Sequence, residues 1–97
     1  MNKGELVDKV AEKASLSLEK TLTKKEADHV ITATIEAIME AVSEGKKVTL
    51  VGFGSFEPRE RKEREGRNPK TGDTMVIPAT TVPAFSAGKL FKEKVAK

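Results

Sequence analysis

The chain has no cysteine, no tryptophan, no tyrosine and only one histidine. Without cysteine there can be no disulfide, no thiolate zinc site and no thiol nucleophile. His29 alone offers no imidazole metal cluster, and no nucleophile, base and orienting-group set is visible in the sequence. His29 also falls off the apolar stripe of its helix, which marks it as a solvated residue. No apolar run approaches a membrane span or a signal-peptide core, and Met1-Asn2-Lys3-Gly4-Glu5 reads as a helix start, so a soluble intracellular chain is expected. Aromatic residues are scarce, with four Phe in 97 residues. One domain of this length builds a marginal core. Burial is therefore expected to be completed by a second copy of the chain.

Arginine is missing everywhere except one place. Arg59, Arg61, Arg64 and Arg67 are the only arginines, and they lead into Gly66-Arg67-Asn68-Pro69-Lys70-Thr71-Gly72. From Glu57 to Thr74 there is no aliphatic or aromatic side chain, so this segment cannot enter a core. Guanidinium groups suit phosphate and the narrow minor groove. The net charge is only +3, but it is unevenly placed. Residues 1–47 hold 8 basic and 9 acidic groups, whereas residues 48–97 hold 10 and 6. The excess positive charge shares a half with the arginines, which suits a polyanion. A charge-balanced linker is the plain alternative, since four Glu are interleaved with the arginines. Strand-like flanks, a central turn signal and the use of arginine where lysine serves elsewhere favour a binding element. With no apolar anchor, the segment is expected to be mobile when free.

Asn2 with Glu5, and Thr23 with Glu26, are capping-box pairs. Leu6, Val7, Val10 and Ala14 form one helical stripe. Ala27, Val30, Ile31, Ile35, Ile38, Met39 and Val42 form a longer one, closed by Gly45 as a left-handed cap. Residues 15–22 either extend the first helix or form a longer connection. Residues 47–51 read as a strand, Gly52-Phe53-Gly54 as a tight bend, and the arginine segment as strand. Asn68 to Gly72 is a turn, and residues 75–78 are a returning strand that Pro78 marks as edge or irregular. Ser86 is the expected cap of a last helix with Leu90, Phe91 and Val95 on its apolar side. The order gives an α+β fold of one domain. Pro69 reads as a turn residue on pattern alone, and as an apolar wedge at the tip of a basic arm on the sharper view.

Gly52-Phe53-Gly54-Ser55-Phe56, the spaced arginines and the Gly66-Arg67-Asn68-Pro69 tip resemble the bacterial histone-like DNA-binding family, the HU proteins and integration host factor. Val82-Pro83-Ala84-Phe85 and Gly88-Lys89 fit as well, so the resemblance covers nearly the whole chain. It implies two N-terminal helices, a three-stranded antiparallel sheet with a long projecting β-hairpin arm, and a short C-terminal helix, in an intertwined homodimer. The body would comprise residues 1–57 and 82–97, and the arm residues 58–81. Arg59, Arg61, Arg64, Arg67, Asn68 and Lys70 would contact DNA along the arm, with Pro69 as the wedge. Lys3, Gly52, Gly54, Ser86, Lys89 and Lys92 would meet backbone phosphates on the saddle. Phe53 and Phe85 would be core. The partner would be double-stranded DNA, with bent, nicked or flexible sites preferred. No cofactor, metal, membrane or enzymatic activity is implied, and the location would be the nucleoid in the cytoplasm. A site-specific bender and an RNA or protein clamp are the rival readings.

Two departures from the family pattern are expected to matter. The connection over residues 15–22 reads as longer than a short helix–helix turn. The returning strand, residues 75–81, has no basic residue, which bears on how the far side of the arm grips.

Overall fold

Both N-terminal helices start at the side-chain caps their sequences supply. The computed structural model describes residues 1–97. Helix α1 spans Lys3–Leu18, and the Asn2 Oδ1 accepts the Glu5 N–H at 2.9 Å. Helix α2 spans Lys24–Ser43 behind a full reciprocal box. There the Thr23 Oγ1 accepts the Glu26 N–H at 3.1 Å, and the Glu26 Oε1 accepts the Thr23 N–H at 3.2 Å and its hydroxyl at 2.9 Å. The Thr23 backbone and side-chain donors, in that order, pull the Glu26 carboxyl below its ordinary value, with a further contribution from Lys20.

The longer connection expected over residues 15–22 does not form. Helix α1 runs on to Leu18 and ends by a left-handed residue, Glu19, at φ 55°. The Glu19 N–H reaches the Leu16 carbonyl and the Lys20 N–H reaches the Ser15 carbonyl, which closes the helix in a Schellman motif. Ser15 then pins the far end of the turn. Its Oγ accepts the Leu22 N–H at 2.8 Å and its hydroxyl donates to the Leu22 carbonyl at 3.3 Å. Helix α2 closes in the same way at Gly45, φ 87°, with bonds from Gly45 to Val42 and from Lys46 to Ala41.

The chain divides into two compact units, residues 1–39 and 40–97. In the first, Val7, Ala11 and Ala27 are buried, with Val10, Leu22 and Ile31 packed against them. Elsewhere on the α2 stripe Val30 (58 %), Ile35 and Met39 (59 %) are exposed, and Ile38 and Val42 are partly buried.

The second unit holds the sheet. Strand β1 is Val48–Leu50, β2 Gly54–Arg61, β3 Arg64–Arg67, β4 Thr74–Ile77 and β5 Thr80–Ala87, followed by helix α3, Lys89–Ala96. One antiparallel sheet has the order β1-β2-β5, and β3 and β4 form a separate two-stranded ribbon. The registers pair Arg61 with Thr80 and Arg64 with Ile77. Register therefore passes unslipped across a gap of two unpaired residues on each side, Lys62-Glu63 and Pro78-Ala79. Pro78 has no N–H to give to a ladder, which accounts for its place in the gap.

Paired residues in an antiparallel ladder share a side, and neighbours along a strand alternate. One face of the three-stranded sheet thus carries Val48, Leu50, Phe56, Pro58, Pro83, Phe85 and Ala87. All four phenylalanines gather in this unit. Phe56 and Phe85 ring centroids are 4.9 Å apart, Phe53 and Phe85 5.2 Å, and Phe53 stacks on Phe91 at 5.3 Å. The expectation that Phe53 and Phe85 are core holds only in part, because they remain 44 % and 40 % exposed in the single chain. Ser86 does not cap α3. It lies within β5 opposite Ser55, its backbone taken by the ladder, and the cap position falls to Gly88, which has no side-chain bond.

Candidate nucleic-acid interface

The other face of the sheet is polar. Thr49, Ser55, Glu57, Arg59 and Arg61 share it with Thr80, Val82, Ala84 and Ser86. Register therefore puts three of the expected site residues, Arg59, Arg61 and Ser86, on one side. Beyond the gap the ribbon splits the remaining arginines. Arg64 pairs with Ile77 beside Gly66 and Met75, while Arg67 pairs with Thr74 beside Glu65 and Val76. Arg64 and Arg67 thus project from opposite faces. A ribbon with a cation on each face can meet both phosphate walls of a groove, which a one-faced strand cannot.

At the end of the ribbon, residues 68–72 form the loop that the sequence signals. The Asn68 N–H donates to the Asp73 carbonyl at 2.8 Å, and the Gly72 N–H to the Asn68 carbonyl at 2.7 Å. Gly72 takes φ 76°. Pro69 and Lys70 are exposed at the tip. The ribbon also has the apolar anchor that the outgoing strand lacks. Ile77 lies across Gly66, where a Cβ would come within 2.9 Å of the Ile77 Cδ1.

The saddle residues of the second unit converge on one corner. Leu50 to Phe53 is a β-turn with Gly52 at its third position, φ 85°, a conformation that favours glycine there. The Gly52 carbonyl accepts the Phe91 N–H at 3.2 Å, and the Phe53 carbonyl accepts the Gly88 N–H at 2.8 Å. Gly54 packs so closely that a Cβ would sit 2.5 Å from the Ser86 carbonyl oxygen. Gly52, Gly54, Ser86 and Lys89 are brought together in this way. Lys92 follows Lys89 by three residues on α3, within one turn on the same side. Lys3 belongs to the first unit. Its Nζ donates to the Thr32 Oγ1 at 2.7 Å and lies 3.4 Å from the Asp28 Oδ1.

Sequence reasoning missed Glu57. It shares the polar face and pairs with Arg59 at 3.2 Å and Lys47 at 3.8 Å. Arg61, Arg64, Arg67, Lys70, Lys89 and Lys92 are in no ion pair within the chain. The odd numbering that Glu57 shares with Arg59 and Arg61 was the available signal. No cluster of three or more His, Asp or Glu side chains is placed to hold a metal ion. No helix is long and apolar enough to cross a membrane.

Comparison with known proteins agrees over the full length. The family model for bacterial DNA-binding proteins matches residues 1–96. A DNA-binding protein HU of Synechocystis is 73 % identical over 96 residues, covering 99 % of this chain and 96 % of that protein. The HU of Clostridium pasteurianum is 56 % identical over 97 residues, covering all of both. Among solved structures, an Anabaena HU–DNA cocrystal structure superposes with a TM-score of 0.89 at 74 % identity, covering 99 % of this chain and 98 % of that one. HU from Thermotoga maritima gives a TM-score of 0.65 at 37 % identity, with 98 % of each chain covered. By family model, sequence and fold together, the chain belongs to the bacterial DNA-binding protein family.

Proposed function

We propose that this chain is a sequence-tolerant architectural protein that wraps, bends and compacts double-stranded DNA as a homodimer. The observation that carries this reading is the ribbon with arginines on both faces and an exposed proline at its tip. Residues 58–81 are the arm and act in the minor groove, while residues 1–57 and 82–97 form the dimerisation body. The half-exposed stripe of α2 and the half-exposed phenylalanines support a second chain. Burying one such side chain fully is worth on the order of 1 kcal/mol over leaving it half open. The similarity to a protein crystallised with DNA supports the polyanion partner.

Phosphate contacts from Arg59, Arg61, Arg64, Arg67, Lys70, Lys89 and Lys92 supply affinity without reading bases, with Gly52, Gly54 and Ser86 offering close backbone approach. Lys3 joins them by exchanging Asp28 for phosphate, and Asn68 lies beside the wedge. Minor-groove architectural proteins, of which this family is a standard example, insert an apolar wedge that unstacks a base step and kinks the duplex. Pro69 takes that role here. DNA that is cheap to deform, such as nicked, gapped or mismatched duplex, is preferred. The chain acts by binding and not by catalysis, and its place is the nucleoid of the bacterial cytoplasm.

Ligation of linear DNA shorter than its persistence length, roughly 150 base pairs, tests the reading. Efficient small circles in the presence of the protein are expected, and absence of binding at low salt rejects it. Pro69→Ala should lower circle yield more than affinity, and equal losses contradict the wedge. Arg61→Ala or Arg67→Ala should each reduce the salt slope by roughly one, as loss of one phosphate contact does. A preference of 10³ or more for one defined site over random duplex would favour a site-specific bender instead.

A further inference from the structure

Asn68 holds the arm's terminal loop at three points. Two of its bonds use only the main chain, to Asp73 and Gly72, and any residue but proline can make both at this position. The third is particular to the side chain, whose Oδ1 accepts the Lys70 N–H at 2.9 Å. That bond steps over Pro69. Proline brings no N–H and a fixed φ, so the Lys70 amide is the first donor after it. Tying that donor back to residue 68 restricts the rotations on either side of the proline. The amide donor at Lys70 requires the carboxamide oxygen at that place, so the Asn68 orientation is set by chemistry. The one side-chain hydrogen bond of Asn68 within the chain is this one, at its oxygen.

We propose that Asn68 is the positioning residue for Pro69, and that its side-chain oxygen fixes the direction in which the proline meets a base step. This rests on the DNA-bending reading. Affinity resides in the cations along the arm, and aim resides in the Asn68 carboxamide. A loop freed of this bond still binds, but it must be ordered at the moment of insertion, so the bend in the bound complex is lost before the affinity is. Serving as a simple DNA contact, Asn68 would lose affinity and bend together.

Three variants test this: Asn68→Ala, Asn68→Asp and Pro69→Ala. The readouts are NMR solvent exchange of the Lys70 amide in the free protein, affinity for a short duplex, and end-to-end energy transfer on that duplex at saturation. Asn68→Ala should speed Lys70 exchange by roughly three- to tenfold, the equivalent of one net hydrogen bond. It should shrink the bend at saturation while affinity stays within about threefold, a small change beside the loss of a charged contact. Asn68→Asp keeps an acceptor for the Lys70 N–H, so exchange stays slow and the saturated bend is retained, although the added negative charge weakens affinity. Unchanged Lys70 exchange, an unchanged bend or an affinity loss well beyond threefold in Asn68→Ala overturns the proposal, as does loss of the saturated bend in Asn68→Asp. Pro69→Ala isolates the underlying reading. A full bend there sinks the wedge itself, and Lys70 exchange then still decides whether Asn68 holds the loop.

Discussion

Replacing Gly54 by alanine confronts the second unit with a methyl group it has no room for. A Cβ at this position would lie 2.5 Å from the Ser86 carbonyl oxygen and 2.6 Å from the Phe85 Cζ. The phenyl ring can turn aside, at a cost to its 4.9 Å contact with Phe56. The carbonyl cannot, because Ser86 is held in the β2–β5 ladder opposite Ser55. The backbone at Gly54 also has φ 156°, which a side chain strains. Overpacking of a tight site costs about 1–3 kcal/mol, and an unfavourable backbone conformation costs of order 1–3 kcal/mol more. A total of about 3 kcal/mol is a large part of the stability of a small domain. For a chain of this size it corresponds to a fall of roughly 10–20 °C in Tm. Thermal unfolding followed by circular dichroism at one fixed protein concentration measures it, since the stability of the proposed homodimer would depend on concentration. Gly45→Ala is the control. Its φ is 87°, but a Cβ there meets nothing within 4 Å, so only the backbone cost of about 1 kcal/mol applies. A Gly54→Ala Tm within 5 °C of the parent (on the order of 1 kcal/mol), or equal losses at the two glycines, would refute the reasoning.

Other expectations follow from single contacts. Glu57→Gln removes the carboxylate beside Arg59 and Lys47, and should tighten DNA binding by roughly two- to fivefold at low salt, with the gain fading as salt screens it; fluorescence anisotropy over a salt series checks this, and unchanged affinity would contradict it. Ser15→Ala breaks both bonds to Leu22 and should cost about 1–2 kcal/mol in chemical denaturation, with the Leu22 N–H left unpaired. The Glu26 carboxyl titrates lower in the folded chain than its ordinary 4.5. Its capping contribution is therefore complete above about pH 4.5 and lost as pH falls through the lowered value. Glu26→Gln should flatten that part of the acid-unfolding curve, and an identical curve would show the box to be idle.

The caps and turns were legible because their signals are local. Asn2, Thr23, Glu26, Gly45 and the Asn68–Gly72 turn each act within five residues along the chain. The end of α1 was not legible. Glu19 is a poor residue for a left-handed cap, and Ser15 reaches a partner seven positions away, so nothing adjacent in sequence announced the turn. Ser86 was misread because serine suits a cap and a polar strand face equally, and only its pairing with Ser55 decides between them. The arginines were found as a composition, yet their division between faces depends on register. The interleaved glutamates hid the register, and Glu57 was overlooked for the same reason. The half-exposed phenylalanines show that apolar character alone does not tell a residue buried within the chain from one left partly open on its surface.

The paired gap at Lys62-Glu63 and Pro78-Ala79 gives the arm a joint. Backbone groups that no ladder ties hold these residues less firmly than their paired neighbours, although Pro78 keeps its own φ fixed. Because register is kept across it, a bend at this level would need no re-pairing of the outer ribbon and would carry Pro69 with it. Under the proposed function, duplexes of different curvature can then be met by the same seat on the body, with the difference in angle absorbed by four residues instead of by the sheet.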